Sequence, residues 1–97
     1  MKVYSAMICI DCRNFKHIRE SRKLDVEVVD IVESTANLRE FLALRDRSDV
    51  FAGCREHGGI GIPCFVEGDK VTLDIDEAMG WLGQPPIRED EIVEHRT

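Results

Sequence analysis

The chain has 97 residues, a formal net charge of -6 at pH 7 and a hydrophobic fraction of 43%. This length fits one domain with a small core, and the ordinary apolar content argues against wholesale disorder. The acidic balance excludes general nucleic-acid binding, which requires cations that neutralise phosphates. No apolar run approaches the length of a membrane span, so we expect no membrane partner.

The charge is unevenly distributed along the chain. One short segment is basic, with Arg13, Lys16, His17, Arg19, Arg22 and Lys23. The end of the chain is acidic, with Glu89, Asp90, Glu91 and Glu94. Such runs usually form solvated faces, and a docking surface is the alternative.

Cysteine usage and the first residues favour a cytoplasmic location. Lys2 and the apolar run that follows it imitate a secretory signal, but the run stops at Asp11 and basic sequence follows instead of a small-residue cleavage site. Four cysteines could form a secreted disulfide framework, although such scaffolds are usually denser in cysteine. We therefore expect a reducing compartment.

The first half of the chain reads as strand, helix, strand, helix. Residues 3–8 are apolar and led by β-branched and aromatic types, which predicts a short buried strand. An amphipathic helix with Phe15 and Ile18 on its buried side follows, and residues 26–32 form a second β-branched strand. Ser34 or Thr35 caps a second helix, which we expect to be bent or broken near residues 48–49 and to end by residue 59.

The second half predicts a hairpin and a capped helix. Residues 60–66 form a strand entered through Pro63, residues 68–69 a turn, and residues 70–73 the returning strand. Asp74 caps the last helix, in a capping box with Glu77, and Gly83 ends it. The tail is either disordered or a short extra helix carrying Ile92 and Val93. We place one domain at residues 1–84 and an acidic tail at residues 85–97.

The predicted order is therefore β-α-β-α-β-β-α, an α/β fold. A right-handed βαβ unit makes the first two strands parallel, and the hairpin adds an antiparallel edge. Because the strands are mostly apolar, helices must cover both faces of this four-stranded mixed sheet.

The motif that carries chemistry is Cys9-Ile10-Asp11-Cys12, between the first strand and the first helix. Unpaired N–H groups and the positive end of the helix dipole favour a thiolate at that position, and the thiolate is the species that attacks disulfides. Cys12, one turn later, can close an intramolecular disulfide with Cys9. The alternative is half of a zinc site, which no second C-x-x-C or spaced histidine pair completes.

Residues 2–82 resemble the glutaredoxin-like branch of the thioredoxin superfamily. The resemblance lies in the strand–C-x-x-C–helix opening, in Ile62-Pro63 before the hairpin, and in the strand–turn–strand–capped-helix ending. It implies a thioredoxin-like (glutaredoxin-type) fold, with Cys9 as nucleophile and Cys12 as resolving thiol. It also implies a cis Pro63 packed against the disulfide, substrate hydrogen bonds to the Ile62 backbone, and a ligand-binding helix start near Asp74.

This sequence also departs from the glutaredoxin pattern. Ala6 stands where a lysine is common, Ile10 and Asp11 stand where proline and an aromatic residue are typical, and Thr72-Leu73 replaces the usual Gly-Gly. The Asp11 carboxylate beside the thiols opposes thiolate formation and repels anionic ligands. We therefore expect neutral or cationic protein disulfides, or a different small thiol, to be preferred over glutathione.

The two remaining cysteines have several interpretations. Cys64 follows Pro63 into an apolar strand and is expected to be buried as a small hydrophobe. Cys54, near His57, is a spare surface thiol, a partner for Cys64, or a metal ligand with His57 and the dithiol. The neighbouring glycines lack the Lys-Ser/Thr of a phosphate loop and are expected to relax the backbone before Pro63.

Together these features predict a monomeric thiol–disulfide oxidoreductase that reduces protein or low-molecular-weight disulfides. Its predicted site comprises Cys9 and Cys12 as catalytic residues, with substrate contacts from Ile10, Asp11, Ile62, Pro63 and Asp74. A thiol or a flavoprotein would supply electrons, and we expect no resident metal or cofactor. The alternatives are a cysteine-ligated metal or iron–sulfur carrier and a redox-responsive interaction module without turnover.

Overall fold

The computed structural model describes residues 1–95, which form an α/β fold with a four-stranded mixed sheet. The strands are β1 (Lys2–Ser5), β2 (Glu27–Asp30), β3 (Cys64–Glu67) and β4 (Lys70–Thr72). The helices are α1 (Ile10–Arg22), α2 (Thr35–Arg47), α3 (Ala52–Glu56) and α4 (Ile75–Trp81), with 3-10 turns at Asp49–Phe51 and Glu89–Glu91. No helix in this part of the chain is long and apolar enough to cross a membrane.

The strands lie in the order β2-β1-β3-β4, and strand alternation divides the core between two faces. β1 runs parallel to β2 and antiparallel to β3, which forms the predicted hairpin with β4. Val3 and Phe65 point towards α1 and α4, where Phe15 meets Phe65 edge-on at 5.2 Å. Tyr4 and Cys64 point the opposite way, towards the aromatic residues of α2 and the 3-10 turn. Helices therefore cover both faces of the sheet, as predicted.

The predicted strands are too long at the ends that approach the dithiol. β1 stops at Ser5, and the side chains of Met7 and Ile8 are 40% and 76% exposed. The chain turns there because the Cys9 amide donates to the Ala6 carbonyl over 3.1 Å, which places Cys9 at the start of α1. The run before Pro63 likewise remains outside the sheet, and β3 begins only at residue 64.

Most helix boundaries agree with the capping residues predicted for them. The Ser34 side chain accepts from the Asn37 amide at the start of α2, and the predicted break after α2 falls at Ser48. Asp74 caps α4, but it accepts from the Asp76 amide, so the predicted capping box with Glu77 is wrong in detail. At the other end of α4, Gly83 takes a left-handed φ of +69° that a side chain would disfavour.

The acidic tail packs against α1, and we call residues 85–95 the strap. Arg22 on α1 donates to both carboxylate oxygens of Glu91, at 2.8 and 2.7 Å, and to the carbonyls of Pro85 and Pro86. The prediction of a disordered tail is therefore wrong for these residues. The alternative, a short helix, holds only for the 3-10 turn, which ends before Ile92 and Val93. Residues 96 and 97 of the predicted tail lie outside the described residues.

Candidate active site

Cys9 occupies the N-cap of α1, at the carboxyl end of β1. Its backbone is extended, with φ −102° and ψ 128°, and its carbonyl accepts the first helical hydrogen bond from the Arg13 amide. The thiol is half-buried and lies 3.7 Å from the Ile62 carbonyl oxygen, to which it donates. The fold thus brings Cys9 beside the Ile62–Pro63 loop, two parts of the predicted site that are distant in sequence.

Cys12 lies one turn further along α1, and its side chain is fully buried. Burial raises the pKa of the Cys12 thiol to about 12, and its hydrogen bond with Cys9 contributes in the same direction. Both thiols are free rather than joined in a disulfide. Because Cys12 is enclosed and held in its neutral form, Cys9 is the thiol of the pair that a reagent in solution can reach.

The loop that faces Cys9 has a specific backbone geometry. The Ile62–Pro63 peptide bond is cis, as the family resemblance implies, and Pro63 is buried. Gly61 precedes them with φ +94°, and a Cβ added there would lie 2.6 Å from the Phe51 ring. The sequence predicts that glycines give the backbone conformational freedom before Pro63. The position that requires this freedom is Gly61, where the chain passes against Phe51.

A groove of about 600 Å³ is lined by the two residues between the cysteines and by the loop at Ile62, whose carbonyl oxygen contacts the Cys9 thiol. Every predicted substrate-binding residue lines it: Ile10, Asp11, Ile62, Pro63 and Asp74. Leu73 and Ile75 extend its apolar surface, and the exposed Asp11 and Asp74 each add a carboxylate. An apolar groove with anionic side chains suits a disulfide that is neutral or carries positive charge.

One wall of this groove comes from residues that the sequence analysis did not assign to the site. Ile92, Glu94 and His95 of the strap line it, together with Asn14 of α1. Asn14 is the one polar residue among the buried residues of α1, which are otherwise Cys12, Phe15 and Ile18. A buried polar side chain needs hydrogen-bonding partners. An asparagine on the buried side of the predicted helix was therefore the signal in the sequence that another segment covers α1.

The basic and acidic runs pair with each other. Arg13 holds Glu94 through two hydrogen bonds of 2.7 and 2.9 Å, and Arg22 holds Glu91 in the same bidentate manner. For these four residues, both interpretations of the charged runs, a solvated face and a docking surface, are wrong, because the residues pair within the protein. Lys16 and His17, on the outer side of α1, are exposed.

The remaining cysteines occupy different environments. Cys64 is fully buried in the core, and burial raises its pKa to about 12, which confirms the prediction of a small hydrophobe. Cys54 is half-buried, and its Sγ lies 3.3 Å from where a Cβ on Gly61 would stand. Within residues 1–95, no group of three or more His, Cys, Asp or Glu side chains is placed to hold a metal ion.

Comparison with known proteins identifies a relative of this chain. No protein-family model matches the sequence, and no solved structure matches it. A protein of Haemophilus influenzae, described only as an uncharacterized protein, is 32% identical over 77 residues. The similarity covers 77% of this chain and 88% of that protein. The chain therefore belongs to the same family as the Haemophilus influenzae protein.

Proposed function

We propose that this protein is a glutaredoxin-like thiol–disulfide oxidoreductase with a thioredoxin-like fold, which reduces protein or low-molecular-weight disulfides. The observation that carries the proposal is the position of Cys9, half-buried at the N-cap of α1 and 3.7 Å from the carbonyl oxygen that precedes a cis-proline. Cys12, buried one turn inside the helix, is placed to act second.

The first step is attack by the Cys9 thiolate on one sulfur of a substrate disulfide. A mixed disulfide forms between Cys9 and that sulfur, and the other substrate sulfur leaves as a thiolate that takes a proton from solvent. Cys9 is the N-cap residue of α1, at the end of a helix where the dipole favours negative charge, and the Ile62 carbonyl accepts a hydrogen bond when the thiol is protonated.

The second step releases the substrate. The Cys12 thiol loses its proton, attacks the Cys9 sulfur and expels the second substrate sulfur, which leaves a Cys9–Cys12 disulfide in the protein. Because the pKa of Cys12 is raised to about 12, we expect its proton to pass to the second substrate sulfur as that sulfur leaves, so that the substrate departs as a thiol. A thiol or a flavoprotein reductant then supplies two electrons and two protons to restore the dithiol.

The test measures reduction of insulin by dithiothreitol with the untagged protein. We expect acceleration by the native protein, none with Cys9→Ser, and nearly unchanged acceleration with the matched control Cys54→Ser. Metal content and visible absorbance are recorded on the same sample, since a cysteine-ligated metal or iron–sulfur carrier would contain bound metal. Activity that survives Cys9→Ser would contradict the proposal, as would a stoichiometric metal lost with Cys9→Ser and no insulin reduction by the native protein.

A further inference from the structure

The Arg13 side chain connects α1 to the turn before Cys9 and to the strap. Its Nη1 donates to the Met7 carbonyl over 2.6 Å, in the turn that leads into Cys9. Its Nε and Nη2 donate to the two carboxylate oxygens of Glu94, which lines the groove. The guanidinium thus lies between the turn before Cys9 and the strap, in a pair whose side chains are 35% and 40% exposed.

Glu94 is held at this position by its backbone as well as by its carboxylate. The amides of Val93 and Glu94 both donate to Asn14 Oδ1 at 2.9 Å, and Asn14 Nδ2 donates to the Glu94 carbonyl at 2.9 Å. A typical surface ion pair joins two long, mobile side chains and contributes little. Here the buried Asn14 fixes the main chain of Glu94, which lines the groove, and the Glu94 carboxylate in turn fixes the Arg13 guanidinium.

The charge of this pair matters for substrate choice. Arg13 follows Cys12 directly, and a guanidinium at that position would attract anionic disulfides to the dithiol. The Glu94 carboxylate neutralises the charge of the Arg13 guanidinium. Because Glu94 itself lines the groove, its negative charge also weakens the attraction of the groove for anions. The groove is also lined by Asp11, Asp74 and His95, which the Glu94 variants leave in place.

Building on the proposed function, we infer that Glu94 is a positioning residue that sets the charge preference of the dithiol. It holds Arg13 in a neutral pair, so that the groove accepts neutral or cationic disulfides and disfavours anionic ones. Only the part of the strap that lines the groove, with Glu94, therefore contributes to specificity.

The test compares two alkylating reagents that differ in charge, anionic iodoacetate and neutral iodoacetamide, by following modification of Cys9 with mass spectrometry. In Glu94→Gln the amide keeps the shape of the side chain while Arg13 loses its counter-charge. We expect the iodoacetate-to-iodoacetamide rate ratio to rise about fivefold at low salt, an effect of ordinary Coulomb size at a partly exposed site. The rise should shrink in about 1 M salt, where charges are screened beyond about 3 Å.

Three matched variants separate the charge from the structure. Glu89→Gln removes an exposed strap carboxylate and should leave the ratio unchanged. Glu94→Asp keeps the charge and should retain an iodoacetate-to-iodoacetamide ratio close to that of the native protein. If the role of Glu94 were purely structural, Glu94→Asp and Glu94→Gln would change the ratio alike. Adding Arg13→Gln to Glu94→Gln should return the ratio towards the native value. Equal ratios in Glu94→Gln and Glu89→Gln would overturn the inference.

A second arm uses disulfides of opposite charge, glutathione disulfide and cystamine. We expect Glu94→Gln to increase the rate with glutathione disulfide relative to cystamine by a similar factor. If the native protein exchanges with neither disulfide and does not accelerate insulin reduction, the proposed function fails, while the alkylation ratio still reports on Glu94. If it exchanges with both and Glu94→Gln leaves their relative rates unchanged, the inference fails and the proposed function stands.

Discussion

The thiol of Cys9 donates to the carbonyl oxygen of Ile62 across 3.7 Å, although the two residues are 53 positions apart in the chain. The contact exists because β1 and β3 are neighbours in the sheet, so the turn after β1 and the loop before β3 meet at the same edge. Gly61 allows the loop to pass against Phe51, and this brings Ile62 to the thiol. The candidate chemistry thus depends on a backbone arrangement as much as on the two cysteines.

The first prediction concerns the order of reactivity of the two thiols. In the reduced protein we expect iodoacetamide to modify Cys9 at least about tenfold faster than Cys12, since thiol reactivity follows exposure and thiolate content. Cys12 is fully buried and has its pKa raised to about 12 by burial. Time-resolved alkylation with peptide mass spectrometry provides the measurement. Faster labelling of Cys12 would reverse the assignment of nucleophile and resolving thiol.

The second prediction concerns Asp11, an exposed residue of the groove between the two cysteines. Replacing its carboxylate, by Asp11→Asn or by the aromatic Asp11→Tyr, should raise the rate of exchange with glutathione disulfide. Removal of a negative charge beside the thiol weakens repulsion of an anionic substrate by an amount of order 1 kcal/mol, or about fivefold in rate. Stopped-flow exchange kinetics measure this effect, with exposed Asp69→Asn in the hairpin turn as the control. Rapid native exchange that neither Asp11 variant changes would refute the expectation.

The third prediction concerns the buried ion pair that fastens the strap to α1. Arg22 and Glu91 have side chains only 9% and 7% exposed, so loss of one charge leaves the other poorly compensated. We expect Glu91→Gln to lower the free energy of unfolding by about 1–3 kcal/mol, measured by urea denaturation. Exposed Glu89→Gln, in the same 3-10 turn, should change it by less than about 0.5 kcal/mol.

The same pair predicts how stability depends on pH. The hydrogen bonds from Arg22 lower the pKa of Glu91 from its ordinary value of 4.5 to about 2. A carboxyl group with a lowered pKa stabilises the folded state fully above its unfolded pKa and loses this contribution as pH falls through the folded pKa. The native protein should therefore lose more stability than Glu91→Gln between about pH 4.5 and about pH 2. Parallel pH profiles for the two proteins would contradict this.

The fourth prediction compares two glycines. A Cβ at Gly61 would lie 2.6 Å from the Phe51 ring, at a φ of +94° that side chains disfavour, whereas a Cβ at Gly80 in α4 meets nothing within 4 Å. Gly61→Ala should cost about 2 kcal/mol or more of unfolding free energy and slow disulfide exchange by displacing Ile62. Gly80→Ala should be neutral or stabilising by up to about 1 kcal/mol. Equal stabilities of the two variants, measured by thermal unfolding, would refute the role given to Gly61.

The sequence was sufficient to predict those parts of the fold that local patterns determine. The strand led by Val3 and Tyr4, the helix cap at Ser34 or Thr35, and the Gly68–Asp69 turn are each specified by a few neighbouring residues. These local signals were enough to place both cysteines at the start of α1. The prediction that the Ile62–Pro63 loop lies beside them came from the resemblance to glutaredoxins.

The strap could not be predicted in the same way. Its position depends on Arg22 meeting Glu91 and on Asn14 meeting Val93 and Glu94, and these contacts exist only after the chain has folded. In sequence, the same residues read as separate basic and acidic runs. The exposure of Ile8 was also unpredictable, because an apolar residue that continues a short strand and one that lies in the following turn have the same local sequence pattern.

The measurement that tests the central claim most directly is a redox titration of the dithiol with disulfide mapping. The protein is equilibrated in mixtures of reduced and oxidised dithiothreitol, quenched by alkylation and analysed as peptides. We predict a reversible two-electron transition in which Cys9 and Cys12 form one disulfide while Cys54 and Cys64 remain thiols. Failure of Cys9 and Cys12 to form a disulfide at any ratio, or pairing of Cys9 with Cys54 instead, would contradict the account.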